Sequence, residues 1–213
     1  DSAAIITPLP VSIKLASIDA NAAVAINRTK AASYIRGENG DAKISAKNIS
    51  VTGTGTATSV ARIIDPVFSG SVVAVAANVA VAKLRAEQDV YTENVTINSD
   101  GAVAVTAKLN EGKTLSDSQS ESNWNCGAAA LLGGNGGKLE LYSLRTNVAV
   151  ARADAVSRAR TAGTGFTGSA DVTLTNNATS YAYATVVEPS ASAGYVAVGL
   201  TCVYAYADGT FDT

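Results

Sequence analysis

Valine and alanine alternate through the middle of the chain. Between residues 72 and 82 the sequence reads VVAVAANVAVA, so that the valines mostly share one parity and the alanines, with Asn78, mostly share the other. A period of two built from β-branched residues predicts a β-strand whose successive side chains point to opposite faces. Both faces of this strand are small or apolar, so either both are covered or the alanine face forms a flat contact surface.

The same alternation predicts shorter strands around Ile49–Val51, Val103–Leu109, Val172–Leu174 and Val196–Tyr206. Clusters of Gly, Asn, Asp and Ser separate these segments and indicate turns. The segment Val148–Arg160 is rich in Ala and Arg, which favour helices. Its likeness to the other copies of a repeat nevertheless predicts a strand.

A short phrase, Asn-x-Ala-Val-Ala, occurs three times. Its copies begin at Asn21, Asn78 and Asn147, so the intervals are 57 and 69 residues. Recurrence at such a period indicates a repeat architecture. We place internal repeats near 12–68, 69–122 and 138–190, a partial repeat at 191–213, and an insert-like loop at 123–137 that lengthens the second interval.

Stacked repeats would bury a continuous core and align like side chains in ladders. The expected ladders are Val24, Val81 and Val150 on one face, and Ala25, Ala82 and Ala151 on the other. Coils of three short strands need about 20 residues each. The chain would then hold roughly ten coils at about 4.8 Å each, with two or three coils in each repeat.

These patterns predict a single all-β domain over residues 1–213, folded as a right-handed parallel β-helix built from repeats of about 57 residues. The alternative is a β-sandwich filament subunit. In that fold the apolar, proline-punctuated segment Ala3–Ser17 would serve as a donor strand for a neighbouring subunit.

Composition narrows the function. The formal net charge is −2 without a long run of one sign, which predicts no nucleic-acid partner. No run of 18 apolar residues occurs, which predicts no membrane insertion. Histidine is absent, and it is the commonest general base and a common metal ligand. We therefore predict no catalysis, no cofactor and no metal site, although neighbouring carboxylates such as Glu87, Asp89 and Glu93 keep open a β-helical carbohydrate-active enzyme.

Two segments resemble repeat units of long bacterial surface proteins. AAVAINRTKAASYI at 22–35 and AKISAKNISVTGTGTATSVA at 42–61 are similar to repeats of filamentous adhesins, autotransporter passengers and leukotoxin-type adhesins. The likeness is best over Asp19–Ile63 and Val72–Lys108. It implies a parallel β-helix, secretion and a structural or adhesive role, and it carries over no catalytic residue.

The predicted function is that of an extracellular structural protein that forms a stiff β-rich rod or filament at the cell surface. A pilus-like subunit that polymerises by strand donation is the alternative, and the carbohydrate-active enzyme is the second. Expected partners are neighbouring repeats or further copies of the protein, and surface glycans.

Three sets of residues are candidates for sites. A late cluster of tyrosines either stacks sugars or a partner surface, or fills and caps the core: Tyr181, Tyr183, Tyr204 and Tyr206. The two cysteines, Cys126 and Cys202, are either buried thiols or a disulfide, and their spacing alone does not decide between these. Four Asn-x-Ser/Thr sequons mark glycan acceptors in a secreted protein: Asn27, Asn48, Asn94 and Asn177.

Overall fold

The structure is a computed structural model, and it describes residues 2–7, 11–38, 42–64, 68–113, 126–133, 137–168, 171–187 and 191–213. These ranges contain strands and no helix. The strands are β1 (Ser2–Ile6), β2 (Val11–Arg36), β3 (Ala42–Ser45), β4 (Ile49–Gly55), β5 (Thr58–Ile63), β6 (Phe68–Glu93), β7 (Val95–Asn98), β8 (Ala102–Leu109), β9 (Gly127–Gly133), β10 (Gly137–Ala162), β11 (Gly165–Thr167), β12 (Asp171–Ala178), β13 (Ala182–Val187), β14 (Ala191–Ala193) and β15 (Val196–Asp212).

The chain winds through four sheets in a repeating order. The long-strand sheet contains β2, β6, β10, β14 and β15, and the corner sheet contains β3, β7 and β11. The first return sheet contains β4, β8 and β12, and the second return sheet contains β1, β5, β9 and β13. All strand pairings in the described residues are parallel. The predicted all-β class with parallel sheets is thereby confirmed, and the order of the strands is compatible with a solenoid-like winding.

The repeat phrase sets the register of this winding. Asn21 pairs with Asn78, and Asn78 pairs with Asn147 on the next strand. Both predicted ladders are confirmed, because the register aligns the three valines with one another and the three alanines with one another. Like residues therefore meet above and below at the asparagine, valine and alanine positions of the repeat phrase.

Alanine, not valine, faces the interior of the long-strand sheet. Ala25, Ala82 and Ala151 are at most 3% exposed, whereas Val24 is 52% exposed. The alanines pack against small residues of the second return sheet, such as Ala61 and Ala130. The alanine face is thus a flat contact surface, but its partner is the returning chain of the same coil.

The core becomes bulkier toward the corner sheet. One buried cluster there consists of β-branched residues, among them Val95, Ile97 and Val103. A second cluster contains Val90 and Val105. These side chains are at most 1% exposed. The core side chains are therefore small where the long-strand and second return sheets meet and larger beside the corner sheet.

The predicted coil size is wrong. Each repeat is one coil rather than two or three, because its long strand alone takes 26 residues. Three coils are complete, and β1 and β14–β15 begin or end partial ones. The five levels of strands span only about 20 Å along the stacking axis at 4.8 Å each, instead of the roughly 50 Å expected from ten coils.

The insert-like loop predicted at 123–137 is wrong in its central part. Gly127–Gly133 forms β9, which pairs with β5 and β13 and completes the second coil. The repeat placed at 69–122 therefore stops short of its own last strand. The extra length lies between β8 and β9, where 114–125 fall outside the described residues.

The β-sandwich alternative is also wrong, because a sandwich of that kind needs antiparallel sheets and these sheets are parallel. Residues 3–6 and 11–17 of the proposed donor segment belong to β1 and β2, which pair with β5 and β6 of the same chain, and 8–10 lie outside the described residues. The strand predicted at Val148–Arg160 is confirmed, since it lies inside β10.

Candidate contact surface

The outward side of the long-strand sheet carries a broad apolar area, here called the outer apolar face. Its side chains alternate with the buried alanines, so they point away from the core. One column across the strands consists of Ile18, Val75, Leu144 and Val198, which are 37–85% exposed. The face comprises the apolar residues Ala16, Ile18, Ala20, Ala22, Val24, Val73, Val75, Ala77, Val79, Val81, Tyr142, Leu144, Val148, Val150, Val196, Val198, Leu200, Cys202 and Tyr204.

Strand geometry gives this face an area on the order of 500 Å². That is comparable to the largest apolar patch of an ordinary monomer, and such patches often bind a partner. No strand of the described part of the chain covers it. The outer apolar face is therefore the leading candidate for contact with another molecule.

Beyond this face the same sheet becomes charged, and several of its charged side chains form ion pairs. Arg160 donates two hydrogen bonds to Asp89, at 2.9 and 3.1 Å, and these bonds raise the pKa of Arg160. The guanidinium also lies 4.6 Å from the ring centre of Tyr91, which stacks on Tyr34. This part of the sheet therefore presents side chains of both charges and is not uniformly basic.

Two of the four candidate tyrosines border the outer apolar face. Tyr204 and Tyr206 stack with ring centres 6.3 Å apart, and Arg152 lies 5.6 Å from the ring centre of Tyr206. The carboxylate of Asp208 raises the pKa of Tyr206, so the phenol stays protonated at neutral pH. These two exposed rings form a stacked aromatic pair at the edge of the face.

The other two tyrosines lie elsewhere, so the four do not form one surface. Tyr183 belongs to β13, where its neighbours Ala182 and Ala184 pack against the core. Its ring therefore projects from the outside of the second return sheet, and Tyr181 immediately precedes that strand. The outer sides of these two sheets point in opposite directions because the core lies between them.

The repeat asparagines form a hydrogen-bonded ladder at the margin of the core. Asn21 donates to Asn78 at 3.0 Å, and Asn78 donates to Asn147 at 3.1 Å. All three side chains are half-buried. Each amide satisfies the next one along the stack, so the phrase is conserved between coils for register rather than for a ligand.

Asn110 is a structural residue that the sequence reading missed. Its backbone is left-handed at φ 56° and it is 1% exposed. The side chain accepts a hydrogen bond from the amide of Ala57 at 3.0 Å and donates one to the carbonyl of Thr179 at 3.0 Å. It thereby joins three coils, and the only hint in the sequence is the turn-like phrase Leu-Asn-Glu-Gly at 109–112.

Of the two alternatives left open for the cysteines, the structure has free thiols and no disulfide between them. Cys126 is buried beside β9, and burial raises the pKa of its thiol. Cys202 is exposed on β15, in register with Val148 of the long-strand sheet. Cys202 belongs to the long-strand sheet, whereas Cys126 directly precedes a strand of the second return sheet.

The sequons differ in access. Asn27 is not accessible as a glycan acceptor, because it is 8% exposed and its amide nitrogen donates to the carbonyl of Thr58 at 2.9 Å. Asn94 is half-buried in a left-handed conformation. Asn48 and Asn177 are exposed, so these two remain accessible to modification.

The neighbouring carboxylates are engaged in ion pairs. Glu87 contacts Lys30 at 3.6 Å and Arg85 at 2.9 Å, and Glu93 contacts Arg36. Within the described residues, no group of three or more Cys, Asp or Glu is placed to hold a metal ion. The described ranges also contain no helix with the length and apolarity needed to cross a membrane.

Fold and surface define a class: an all-β chain of parallel sheets wound in coils, with one wide apolar face turned outward. Comparison with families of known proteins, with curated proteins and with solved structures finds no match.

Proposed function

We propose that the chain is part of an extracellular structural protein, in which a right-handed parallel β-helix forms a stiff scaffold and its outer face adheres to a partner. The observation that carries the proposal is the outer apolar face itself. Three coils stack in strict register, yet the widest sheet leaves its outward valines, leucines and tyrosines uncovered.

Stiffness follows from the ladders. On each side of β6, 25 residue pairs are in parallel register, in a run interrupted at one position. This register prevents neighbouring coils from sliding, because a one-residue slip would turn the buried alanines outward. A right-handed winding is the form that crossovers between parallel strands adopt almost without exception. A structural role of this kind requires only the rigid stacking of the coils.

Adhesion follows from the chemistry of the face. Its flat aliphatic area would bind an apolar partner surface, and Tyr204 and Tyr206 at its border would stack on sugar rings. Surface glycans therefore remain among the proposed partners, and the role requires no catalytic group.

The location is tested by labelling cells of the source organism with antibodies raised against the purified chain. We expect intact cells to be labelled as strongly as permeabilised ones, because the protein would lie outside the membrane. An abundant cytosolic protein provides the control and should be labelled only after permeabilisation. Labelling of this chain restricted to permeabilised cells would reject the proposal.

Adhesion is tested by retention of the purified chain on a panel of immobilised neutral and acidic polysaccharides. We expect retention on at least one of them to fall about tenfold in the double variant Y204S/Y206S, since stacking on a ring contributes about 1–3 kcal/mol. A matched Tyr183→Ser variant, altered on the opposite side, should retain wild-type binding. Release of new reducing ends would favour the carbohydrate-active enzyme instead.

A further inference from the structure

Apolar side chains on β6 and β10 point outward and stay uncovered, although neither strand lies at an edge of its sheet. β6 pairs with β2 and β10, and β10 also pairs with β14 and β15. Val73, Val75, Tyr142 and Leu144 are nevertheless 37–53% exposed. They are exposed because they face away from the core, so the outer apolar face exists independently of the strands at either side of the sheet.

The outer apolar face carries no charge on these two strands. Over 73–81 and 142–150 the outward positions are apolar or aromatic, with Thr146 as the one exception. Charged side chains begin at the next outward positions, Lys83 and Arg152. An uncharged centre with a polar rim is the composition of protein–protein interfaces, and the centre is most apolar between identical subunits.

The shape of the face suits a copy of itself. Val75 and Leu144 form a ridge across the two strands, whereas the next outward positions, Ala77 and Thr146, carry smaller side chains and leave a groove beside it. Ridge and groove lie about 6.6 Å apart, two residues along a strand. Sheets that pack face to face interdigitate their side chains. A two-fold axis between ridge and groove would therefore seat the ridge of each copy in the groove of the other.

The apolar stretch is balanced about that axis. On β10 it extends from Leu139 and Leu141, which are 55% and 43% exposed, to Val150. The axis passes near position 145, five or six residues from either end. An axis parallel to the stacking direction reverses the strands, so Leu141 would lie against Val150 of the copy. Almost the whole apolar stretch would be covered in this way.

The same axis keeps the charged parts of the two sheets apart. Charged side chains follow the apolar stretch along both strands, beginning with Lys83 and Arg152. With the strands of the two copies antiparallel, these parts would extend beyond the interface at opposite ends. With parallel strands Lys83 would instead face Arg152 of the copy, and like charges across an interface are unfavourable.

We propose that the outer apolar face binds the same face of a second copy, in a two-fold dimer whose strands run antiparallel across the interface. This inference rests on the proposed function, because it names the apolar partner that the face would bind. Two faces of about 500 Å² each would bury roughly 1,000 Å² together, which is the size that a specific interface has to reach. Leu139 and Leu141 adjoin the face and would add to this area.

Sedimentation velocity over a wide range of protein concentrations tests the dimer. We expect the purified chain of 21.5 kDa to sediment as a species of twice that mass at high concentration. Leu144→Lys should weaken association by about tenfold or more, because it would bury a charged amine from each copy in an apolar interface. Ala77→Lys fills the groove with a charged side chain and should have the same effect.

Val156→Lys is the matched control. Val156 is half-buried on the same strand and the same outward side, twelve residues beyond Leu144 and among the charged side chains. The added charge is the same but lies outside the interface, so association should match that of wild type. Thermal unfolding followed by circular dichroism checks that all three lysine variants are folded.

Distances between spin labels, measured by double electron–electron resonance, test the orientation. A nitroxide is attached through Arg152→Cys in a Cys202→Ser background, where the remaining thiol, Cys126, is buried. Antiparallel strands place position 152 about seven residues from the axis, so the two labelled positions lie about 46 Å apart. Parallel strands would place them about 11 Å apart, and that result would overturn the proposal.

A chain that stays monomeric at all concentrations would also overturn it, as would association that responds equally to Leu144→Lys and Val156→Lys. The proposed function is tested separately from the dimer. Labelling of intact cells does not depend on dimerisation, and retention on polysaccharides can be measured with the monomeric Leu144→Lys variant, which keeps Tyr204 and Tyr206.

Discussion

Ala82→Leu is expected to destabilise the fold by about 3 kcal/mol, at the upper end of the range for overpacking a tight core. Ala82 is 0% exposed, and its neighbours in the ladder are Ala25 and Ala151. Three added carbon atoms would have to fit between two sheets that meet through alanines. For a domain of this size the melting temperature should fall by roughly 6–12 °C, as measured by circular dichroism.

Val81→Leu is the matched control, because it changes the adjacent residue of the same strand on the opposite face. Val81 is half-buried and lies between Val24 and Val150 on the outer apolar face. A larger side chain there meets solvent rather than a second sheet, so the free energy of unfolding should change by less than about 0.5 kcal/mol. A greater loss for Val81→Leu than for Ala82→Leu would mean that the assignment of faces is reversed.

This pair of variants also marks what the sequence reveals about the sheet. The alternation from 72 to 82 predicts the strand, its two faces and the ladder partners of each residue, and the structure confirms all three. Hydrophobicity alone does not tell which face is inside, because valine is the more apolar residue and yet points outward here. The choice depends on how closely the return sheet approaches, and that distance is set by residues such as Ala61 and Ala130, which lie 36 and 48 positions from Ala25 and Ala82 of the same coils.

The number of residues per coil could not be predicted from the sequence for a related reason. Individual strands are recognised by period, but period does not show whether a strand ends or continues through a bend. At one such place both Val72 and Val73 are exposed, at 39% and 43%, and the alternation changes phase within β6. Read locally, this phase change separates two short strands, whereas in the structure it is a bend within one strand of 26 residues.

Some placements of the candidate site residues also follow from the strand period, and others depend on the winding of the chain. Tyr204 and Tyr206 are two apart on one strand, so their shared face follows from the period. Tyr181 and Tyr183 are close in sequence but belong to another sheet, and proximity along the chain is no guide to that. The state of the two cysteines stayed open at the sequence level because disulfide formation depends on the distance between Cα atoms, which is fixed by the winding of the chain and not by spacing in the sequence.

Asn110→Ala is expected to cost on the order of 4 kcal/mol. The substitution leaves two backbone groups without partners, the buried N–H of Ala57 and the carbonyl of Thr179, at about 1–3 kcal/mol each. It also places a β-carbon without a compensating side-chain bond in a left-handed conformation at φ 56°, which adds about 1 kcal/mol. Urea unfolding of the purified variant measures the loss, and a change below about 1 kcal/mol would contradict the assigned role.

Asn110→Gly separates the two contributions, because glycine adopts the left-handed conformation freely but supplies no hydrogen bond. It should be about 1 kcal/mol more stable than the alanine variant and still well below wild type.

Asn110→Asp keeps an acceptor for Ala57 and loses the donor to Thr179, so a buried carboxylate would face a carbonyl oxygen. Burial raises the pKa of such a carboxyl above its unfolded value near 3.9. Its protonated form can donate to Thr179, so this variant should lose least stability below about pH 4 and increasingly more as pH rises through the folded-state pKa. Wild type and the glycine variant carry no titrating group at this position, so a pH dependence specific to Asn110→Asp would assign the joining of the three coils to the amide of Asn110 itself.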